Sequence, residues 1–536
     1  MRPAHQGQAG LPRAQLPRAT QDLVLAAAGL LVFSVALTVV LGLCGPSVLV
    51  PKFPSAFPWP PYFTSVHLSE IAVTGLAWLA IGTGGLGLVA GLFAVRGGWR
   101  PRPRRLLAGC LLAVIALMVV PPLSSTDMLD YAIYGRMAAL GHSPYVMTPA
   151  QLAASGDPVG RFDPSSWRHS NSVYGPLGTW SEEAASLLAG PSMARTVFWI
   201  KVWNALAFLA VALALDRLLR FQAAARARAH LLWSVNPLML WSIMGGGHID
   251  GLAAAAGFFG LVCLRRRGAE RLDAERLGAE WWGAVRGLAA GLLVGAAIVI
   301  KAPFVVFVAG LAWAARRSPR TLAAAALGGA AVVLPCYLLA GRAAVAAVVS
   351  RGIGPPSLYQ PWQLLTRALD MSNAVTFTNV VALCAVAVLA PVLLWRLPPG
   401  LSSPVGLAFV RPVLALSLAW LVCTPQQRPW YDAMIFPLLA LMPATRLDWI
   451  IIIRAAAAAI AELPGSGGFH GLRPHWVGSF TAFTVHEAVP AILVMLAAAL
   501  IWLCVTGRWG PTGRAGPPGG GQPLPDLAAS GSLGRG

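Results

Sequence analysis

Charge is what this 536-residue sequence has least of. Asp, Glu, Lys and Arg make up 11% of it against 57% hydrophobic residues, whereas a soluble globular chain carries about 25% charged residues. So few ionised groups cannot cover a surface facing water, which excludes a soluble fold and indicates a chain solvated by lipid. Lysine is rarer still, with only Lys52, Lys201 and Lys301 among 40 basic residues. Cysteine is sparse as well. Cys44, Cys110, Cys263, Cys336, Cys384, Cys423 and Cys504 lie in or at the ends of apolar runs, none at metal-ligand spacing from another. They read as small buried hydrophobes, with no sign of an Fe–S or zinc site. No glycine-rich turn follows a strand pattern and no P-loop is present, so no nucleotide-binding fingerprint exists and no cofactor is expected.

Acids are half as frequent as bases, and the formal net charge is +20. The arginines cluster between apolar runs, in RGGWRPRPRR (Arg96 to Arg105), RLLRFQAAARAR (Arg217 to Arg228), RRRGAERLDAERLGAEWWGAVR (Arg265 to Arg286) and RRSPR (Arg316 to Arg320). That distribution is the positive-inside pattern of cytoplasmic loops. No nucleic-acid-binding motif accompanies it, and no nucleic-acid partner is expected.

The hydrocarbon core takes about 20 apolar residues per helix. Runs of that length, or shorter ones closed by Gly or Pro, recur to about Val505, so the expected fold is all-α: an integral-membrane, multispanning helical bundle of about 12–14 transmembrane helices. The first run, Leu23 to Leu43, is too long for a signal h-region of about 7–15 residues and reads as the first span. Residues 21–507 form the membrane domain, with 1–20 and 508–536 as disordered Gly/Pro/Arg-rich ends on the cytoplasmic side. Each basic patch then falls inside, and the loops near 46–68, 123–190, 244–250, 300–303, 341–372, 424–431 and 463–486 face out. The first of these holds FPWPPYF (Phe57 to Phe63), suited to the headgroup region. His470 and His475 read as solvent-facing loop residues.

Loop 123–190 stands apart. Asp127, Asp130, Asp157, Asp163, Glu182 and Glu183 outnumber Arg136, Arg161 and Arg168, giving it net negative charge in a strongly basic chain. At about 68 residues it is far longer than a connector, which indicates function or a small folded cap. Met128, Leu129, Ala132, Ile133, Met137 and Leu140 recur at helical spacing until Gly141 and Pro144, so a short amphipathic helix lying in the outer interface is expected.

Asp127 has two compatible readings. It is an acid in a first helical turn next to the N-cap residues Ser125 and Thr126, and it is a carboxylate at the mouth of a membrane cavity, able to act as a general base on a hydroxyl. His248 and Asp250 sit in a Gly-rich turn that is either simply tight or part of a site. Lys301 either snorkels or places a cation near a lipid phosphate. Arg351, Tyr359 and Trp362, and Arg428, Trp430 and Tyr431, are either interfacial belt residues or phosphate-binding and sugar-stacking groups. Ionisable groups at membrane depth cost about 2.5–3.5 kcal/mol each on insertion scales, so they are expected at cavities.

SSTDMLDYAIYGRMAALGHSPY, with SVYGPLGTW downstream, resembles the first large outer loop of actinobacterial polyprenyl-phosphate-mannose-dependent mannosyltransferases of the GT-C superfamily. Ser125, Asp127, Tyr131, Gly135, Gly141, Pro144, Tyr145 and the Tyr174-to-Leu177 run carry the resemblance. It extends more weakly through GGGHIDGL, KAPF and QQRPWYD, over residues 110–440. One departure is His248-Ile249-Asp250 where members often show His-Asn-Asp. The resemblance implies Asp127 as catalytic base, a polyprenyl-phosphate sugar donor (mannose by resemblance alone), a glycolipid or polysaccharide acceptor, inversion, and a site on the extracytoplasmic side of a bacterial cell membrane. The candidate substrate-binding residues are Asp130, Tyr131, Arg136, His142, Tyr145, Tyr174, His248, Asp250, Lys301, Arg351, Tyr359, Arg428 and Tyr431. No metal ligands are assigned, although Asp127 with Asp130 leaves a metal open. The alternative is a transporter or flippase of lipid-linked envelope intermediates using Asp127 and Lys301 as coupling charges; the second half shows no duplicate of the first outer loop, which weighs against it.

Overall fold

The computed structural model describes residues 16–51, 59–60, 62, 66, 68–164, 167–265, 276–351, 354–369, 374–400, 409–463 and 475–510. Within them the chain is helical, with no strand. The expected ends at 1–15 and 511–536, most of the Phe57-to-Phe63 segment, Lys52 and His470 lie outside the described residues. His475 is exposed, at the start of the His475–Phe483 helix rather than in a loop.

Seven helices are long and apolar enough to cross a membrane: Arg18–Leu43, Glu70–Arg96, Met193–Leu218, Trp281–Ile300, Pro319–Ser350, Ala374–Arg396 and Gly478–Thr506. An eighth crossing arises if Ala223–Gly245 and Asp250–Cys263, bent by 118° at the intervening break, count as one span. The full-length crossings are therefore fewer than the 12–14 expected. The difference lies in apolar runs interrupted by Gly, Pro or polar residues, which fold as shorter helices such as Ala302–Ala315 and Val410–Cys423. Hydropathy counts such a run as a span, but backbone geometry does not.

Small residues let the spans approach closely, the means by which helices associate where lipid removes the hydrophobic drive. Gly287, Gly291 and Gly295 lie on one stripe of the Arg276–Ile300 helix, against Thr321, Ala325 and Gly329 of Pro319–Arg351. A Cβ at Gly291 would run into the Ala325 carbonyl.

The 123–190 loop is a folded layer containing the helices Asp127–Ala139, Pro149–Ala154 and Pro176–Ala189. Asp127–Ala139 is not the interfacial amphipathic helix expected. Met128 to Gly135 and Met137 are all buried, because the helix packs beneath Pro176–Ala189 and against Met193–Leu218. Arg136 Nε donates to Asp157 Oδ2 at 2.9 Å, and Asp157 Oδ1 accepts the Val159 and Gly160 N–H groups at 2.8 and 3.1 Å. Tyr145 OH bonds the Tyr174 carbonyl at 3.1 Å and Thr179 Oγ1 at 3.0 Å. These bonds close the layer over the helix.

Two buried polar groups of the Met193–Leu218 helix anchor what leads into the site. Lys201, fully buried, donates through Nζ to the Leu117 and Val120 carbonyls, each at 2.8 Å. The first of these lies in the last turn of Pro103–Met118, where a cation also complements the helix dipole. Asn204 Nδ2 donates to the Gly247 carbonyl at 3.1 Å, fixing the break in the bent pair.

Candidate active site

The approach to Asp127 is set by backbone. Leu123 N–H bonds the Gly245 carbonyl and Ser124 N–H the Leu49 carbonyl, both at 3.0 Å. Ser124 has φ +69°, a left-handed conformation uncommon outside glycine. It turns the chain so that Asp127 becomes the first residue of its helix. Ser125 Oγ accepts from Asp127 N–H at 3.1 Å, whereas the cap position, Thr126, makes no side-chain cap bond. The carboxylate therefore stands at a positive helix end.

His248 lies in the break between the halves of the bent pair. Its Nδ1 is 3.9 Å from Asp127 Oδ2 and 3.3 Å from Tyr131 OH, and its ring stacks on Trp430 with centroids 3.5 Å apart. The break requires glycine at 247, where φ is +72° and a Cβ would collide with the Met128 methyl group. Asp250 opens the second half-helix and receives Lys301 Nζ at 2.7 Å. Lys301 follows the end of the Arg276–Ile300 span, and its ammonium lies 4.8 Å from the Tyr431 ring centroid and 5.5 Å from that of Tyr174. The Tyr-Gly-Pro-Leu motif reaches it because Gly175 crosses that span end. Gly175 N–H bonds the Ile300 carbonyl at 3.1 Å, and a Cβ there would strike the Val299 carbonyl.

These elements surround a cavity of about 570 Å³ lined, among others, by Asp127, Asp130, Tyr174, Lys301, Arg428 and Tyr431. The remaining wall is divided by chemistry. Trp167, Ser170 and Asn171 flank the acids, while Val305, Val348, Leu358, Ala382, Leu383 and Trp420 form an apolar side between helices. Arg428 Nη1 donates to Glu462 at 2.7 Å, so both cations of the cavity are anchored by carboxylates. Desolvation pushes the Asp127 carboxyl above its ordinary range, opposed by Arg428 and Lys301. Asp130 is pushed well above it by burial and by the neighbouring acids Asp127, Asp163 and Glu182. Among the described residues no group of three or more His, Cys, Asp or Glu side chains is disposed to hold a metal ion.

The remaining candidates occupy different places. Tyr131, His248 and Asp250 are buried behind the wall, holding the residues that line it. Tyr359 is buried and donates to the Gln427 carbonyl at 2.8 Å, bracing the Arg428 segment. Arg136 and Tyr145 serve the loop contacts given above, and His142 is exposed in a turn; none of the three lines the cavity. Arg351 ends the Pro319–Arg351 helix, and its side chain lies outside the described residues. Sequence reasoning did not single out Lys201, Asn204, Trp167, Gln427, Glu182 or Glu462. A lysine and an asparagine three residues apart within a span, on one helix face, were the available signal for the first two.

The model of the family described as alpha-(1->6)-mannopyranosyltransferase, N-terminal domain, matches residues 27–317. A probable alpha-(1->6)-mannopyranosyltransferase of Mycolicibacterium smegmatis is 26% identical over 450 residues, covering 77% of each chain. Alpha-(1->6)-mannopyranosyltransferase B of Corynebacterium glutamicum is 26% identical over 168 residues, 31% of this chain and 28% of the relative. Alpha-(1->6)-mannopyranosyltransferase A of the same organism is 24% identical over 155 residues, 29% and 31%. The family match holds Asp127, His248, Asp250 and Lys301 and covers more than half of the sequence. The chain belongs to the alpha-(1->6)-mannopyranosyltransferase family and is a multispanning membrane mannosyltransferase.

Proposed function

We propose that this mannosyltransferase takes mannose from a polyprenyl-phosphate donor and passes it, with inversion, to a hydroxyl of a cell-envelope glycolipid or glycan. The single observation that carries the reading is the company Asp127 keeps. A carboxylate at a helix N-terminus shares one cavity with Lys301 and Arg428 and with an apolar wall between helices. Asp127 takes the acceptor proton, and the acceptor oxygen forms a bond to the anomeric carbon. The bond from that carbon to the phosphate oxygen breaks, and its electron pair leaves on the polyprenyl phosphate. Lys301 and Arg428 stabilise the departing phosphate from fixed positions. The isoprenoid chain occupies the apolar side by Val305, Leu358 and Leu383.

His248 acts on Asp127 rather than on substrate, because Trp430 covers one face of its ring and its Nδ1 faces Tyr131 and Asp127. The arginine clusters fall on span ends away from the cavity: Met193–Leu218 starts beside the 123–190 loop and ends at the Arg217 cluster. The positive-inside rule then puts the cavity on the extracytoplasmic side of a bacterial cell membrane. Residues 21–507 form the transmembrane domain. Reconstituted protein given polyprenyl phospho-[14C]mannose and an alkyl α-(1->6)-dimannoside is expected to form labelled trisaccharide, whereas GDP-mannose alone yields none. Transfer from GDP-mannose in the absence of any polyprenyl phosphate would reject the donor assignment.

A further inference from the structure

The cavity has an acidic end that the reaction above does not use. Asp130 follows Asp127 by three residues on one helix, so both face the same space. The two carboxylates differ in what surrounds them. Asp127 has Lys301, Arg428 and His248 for neighbours. Asp130 is 2% exposed and lines the cavity, yet neither of its oxygens finds a hydrogen-bond donor among the described residues. The charges acting on it are Asp127, Asp163 and Glu182, all acidic.

A buried carboxyl group without a donor is costly, and native proteins satisfy such groups with a ligand or water. Next to it stand Tyr134, whose hydroxyl donates to the Ser170 carbonyl at 2.9 Å, and Trp167, Ser170 and Asn171 of the loop that closes this end. Hydroxyl donors suit this wall, and the flat apolar face of a pyranose suits its aromatic rings. An anionic group does not suit it, since like charges would meet in a desolvated site.

We propose that the Asp130 end of the cavity is the acceptor subsite, where Asp130 receives hydroxyls of an uncharged terminal sugar while the donor phosphate occupies the Lys301 and Arg428 end. This rests on the proposed transfer reaction and assigns its two substrates to opposite ends of one cavity, with Asp127 between them. The acceptor sugar is consequently unphosphorylated, and discrimination against charged sugars resides in Asp130.

The test is steady-state kinetics of Asp130→Asn and Asp130→Leu with polyprenyl phosphomannose and the alkyl α-(1->6)-dimannoside, beside equilibrium binding of tritiated dimannoside to donor-free protein. The acceptor KM and the dimannoside Kd are expected to rise roughly tenfold or more, as loss of hydrogen bonds to a charged group implies. The donor KM is expected to stay within twofold of the parent. Trp167→Ala, in a loop, is expected to give the same split and serves if the Asp130 variants fail to fold. An equal rise in donor KM, no rise in acceptor KM, or failure of the parent to bind dimannoside would overturn the subsite. A parent that binds dimannoside but transfers nothing from polyprenyl phosphomannose would instead remove the transfer reading and leave the subsite standing.

Discussion

Replacing Lys301 by Met separates stability from transfer. Lys301 is 8% exposed and Asp250 fully buried, and their charged groups meet at 2.7 Å. Removing the ammonium leaves Asp250 without its cation; its second oxygen already has no donor among the described residues. Breaking a buried pair from one side costs about 3–5 kcal/mol, a large part of the roughly 5–15 kcal/mol that holds a domain folded. Lys301→Met is therefore expected to lower the unfolding midpoint sharply in detergent. The double variant Lys301→Met with Asp250→Leu removes both charges and is expected to recover most of that loss, because buried pairs replaced by apolar residues are often neutral in stability. Transfer from polyprenyl phosphomannose should not recover. A fixed charge at a developing anion is worth about 10²–10³ in rate, and the double variant still lacks it. Unfolding midpoints and initial transfer rates of the parent, both singles and the double complete the cycle. If destabilisation in the double equals the sum of the singles, the two residues are not energetically coupled and the site is built differently. If the double regains full transfer, Lys301 does not stabilise the leaving phosphate.

Three further expectations follow from local geometry. Because burial raises the Asp127 carboxyl and a general base acts only when deprotonated, kcat/KM should fall as pH drops through a value above the ordinary Asp pKa of about 3.9; an acid limb at or below that value would contradict it. Gly175→Ala should destabilise by about 1–3 kcal/mol or more through overpacking against the Val299 carbonyl, read as a lower unfolding midpoint with reduced transfer. Lys201→Met should leave the Leu117 and Val120 carbonyls without their donor, costing about 1–3 kcal/mol for each such group; kcat should fall with both KM values unchanged, since Lys201 touches no substrate.

Asp127, Lys301 and Arg428 were legible because ionisable residues at the ends of apolar runs are rare and need a reason to be there. Their convergence followed from topology, as alternate loops of a bundle emerge on one side. The depth of the Asp127–Ala139 helix was not legible. Met, Leu, Ile and Tyr at helical spacing look the same whether the apolar face meets lipid or protein, and only Gly135 against Glu182 marks the close cover. Span number was overestimated because composition does not reveal where a run breaks, as it does at Gly247 and Pro303. Lys201 resembles a snorkelling residue in sequence, yet it is buried and satisfied by carbonyls more than 80 positions away. Trp167, Ser170 and Asn171 belong to an irregular loop with no periodicity to read. Family membership was legible from the first-loop motif, whose Gly175 and Tyr174 prove to be where that loop meets the Lys301 span.

The most direct measurement is transfer of labelled mannose from polyprenyl phosphomannose by purified Asp127→Asn protein. The substitution keeps the shape of the side chain and removes its capacity to take a proton. Transfer is expected to fall by about 10²–10⁴, the usual contribution of a general base, with donor binding and the unfolding midpoint preserved. Transfer at the parental rate by a correctly folded Asp127→Asn protein would contradict the account.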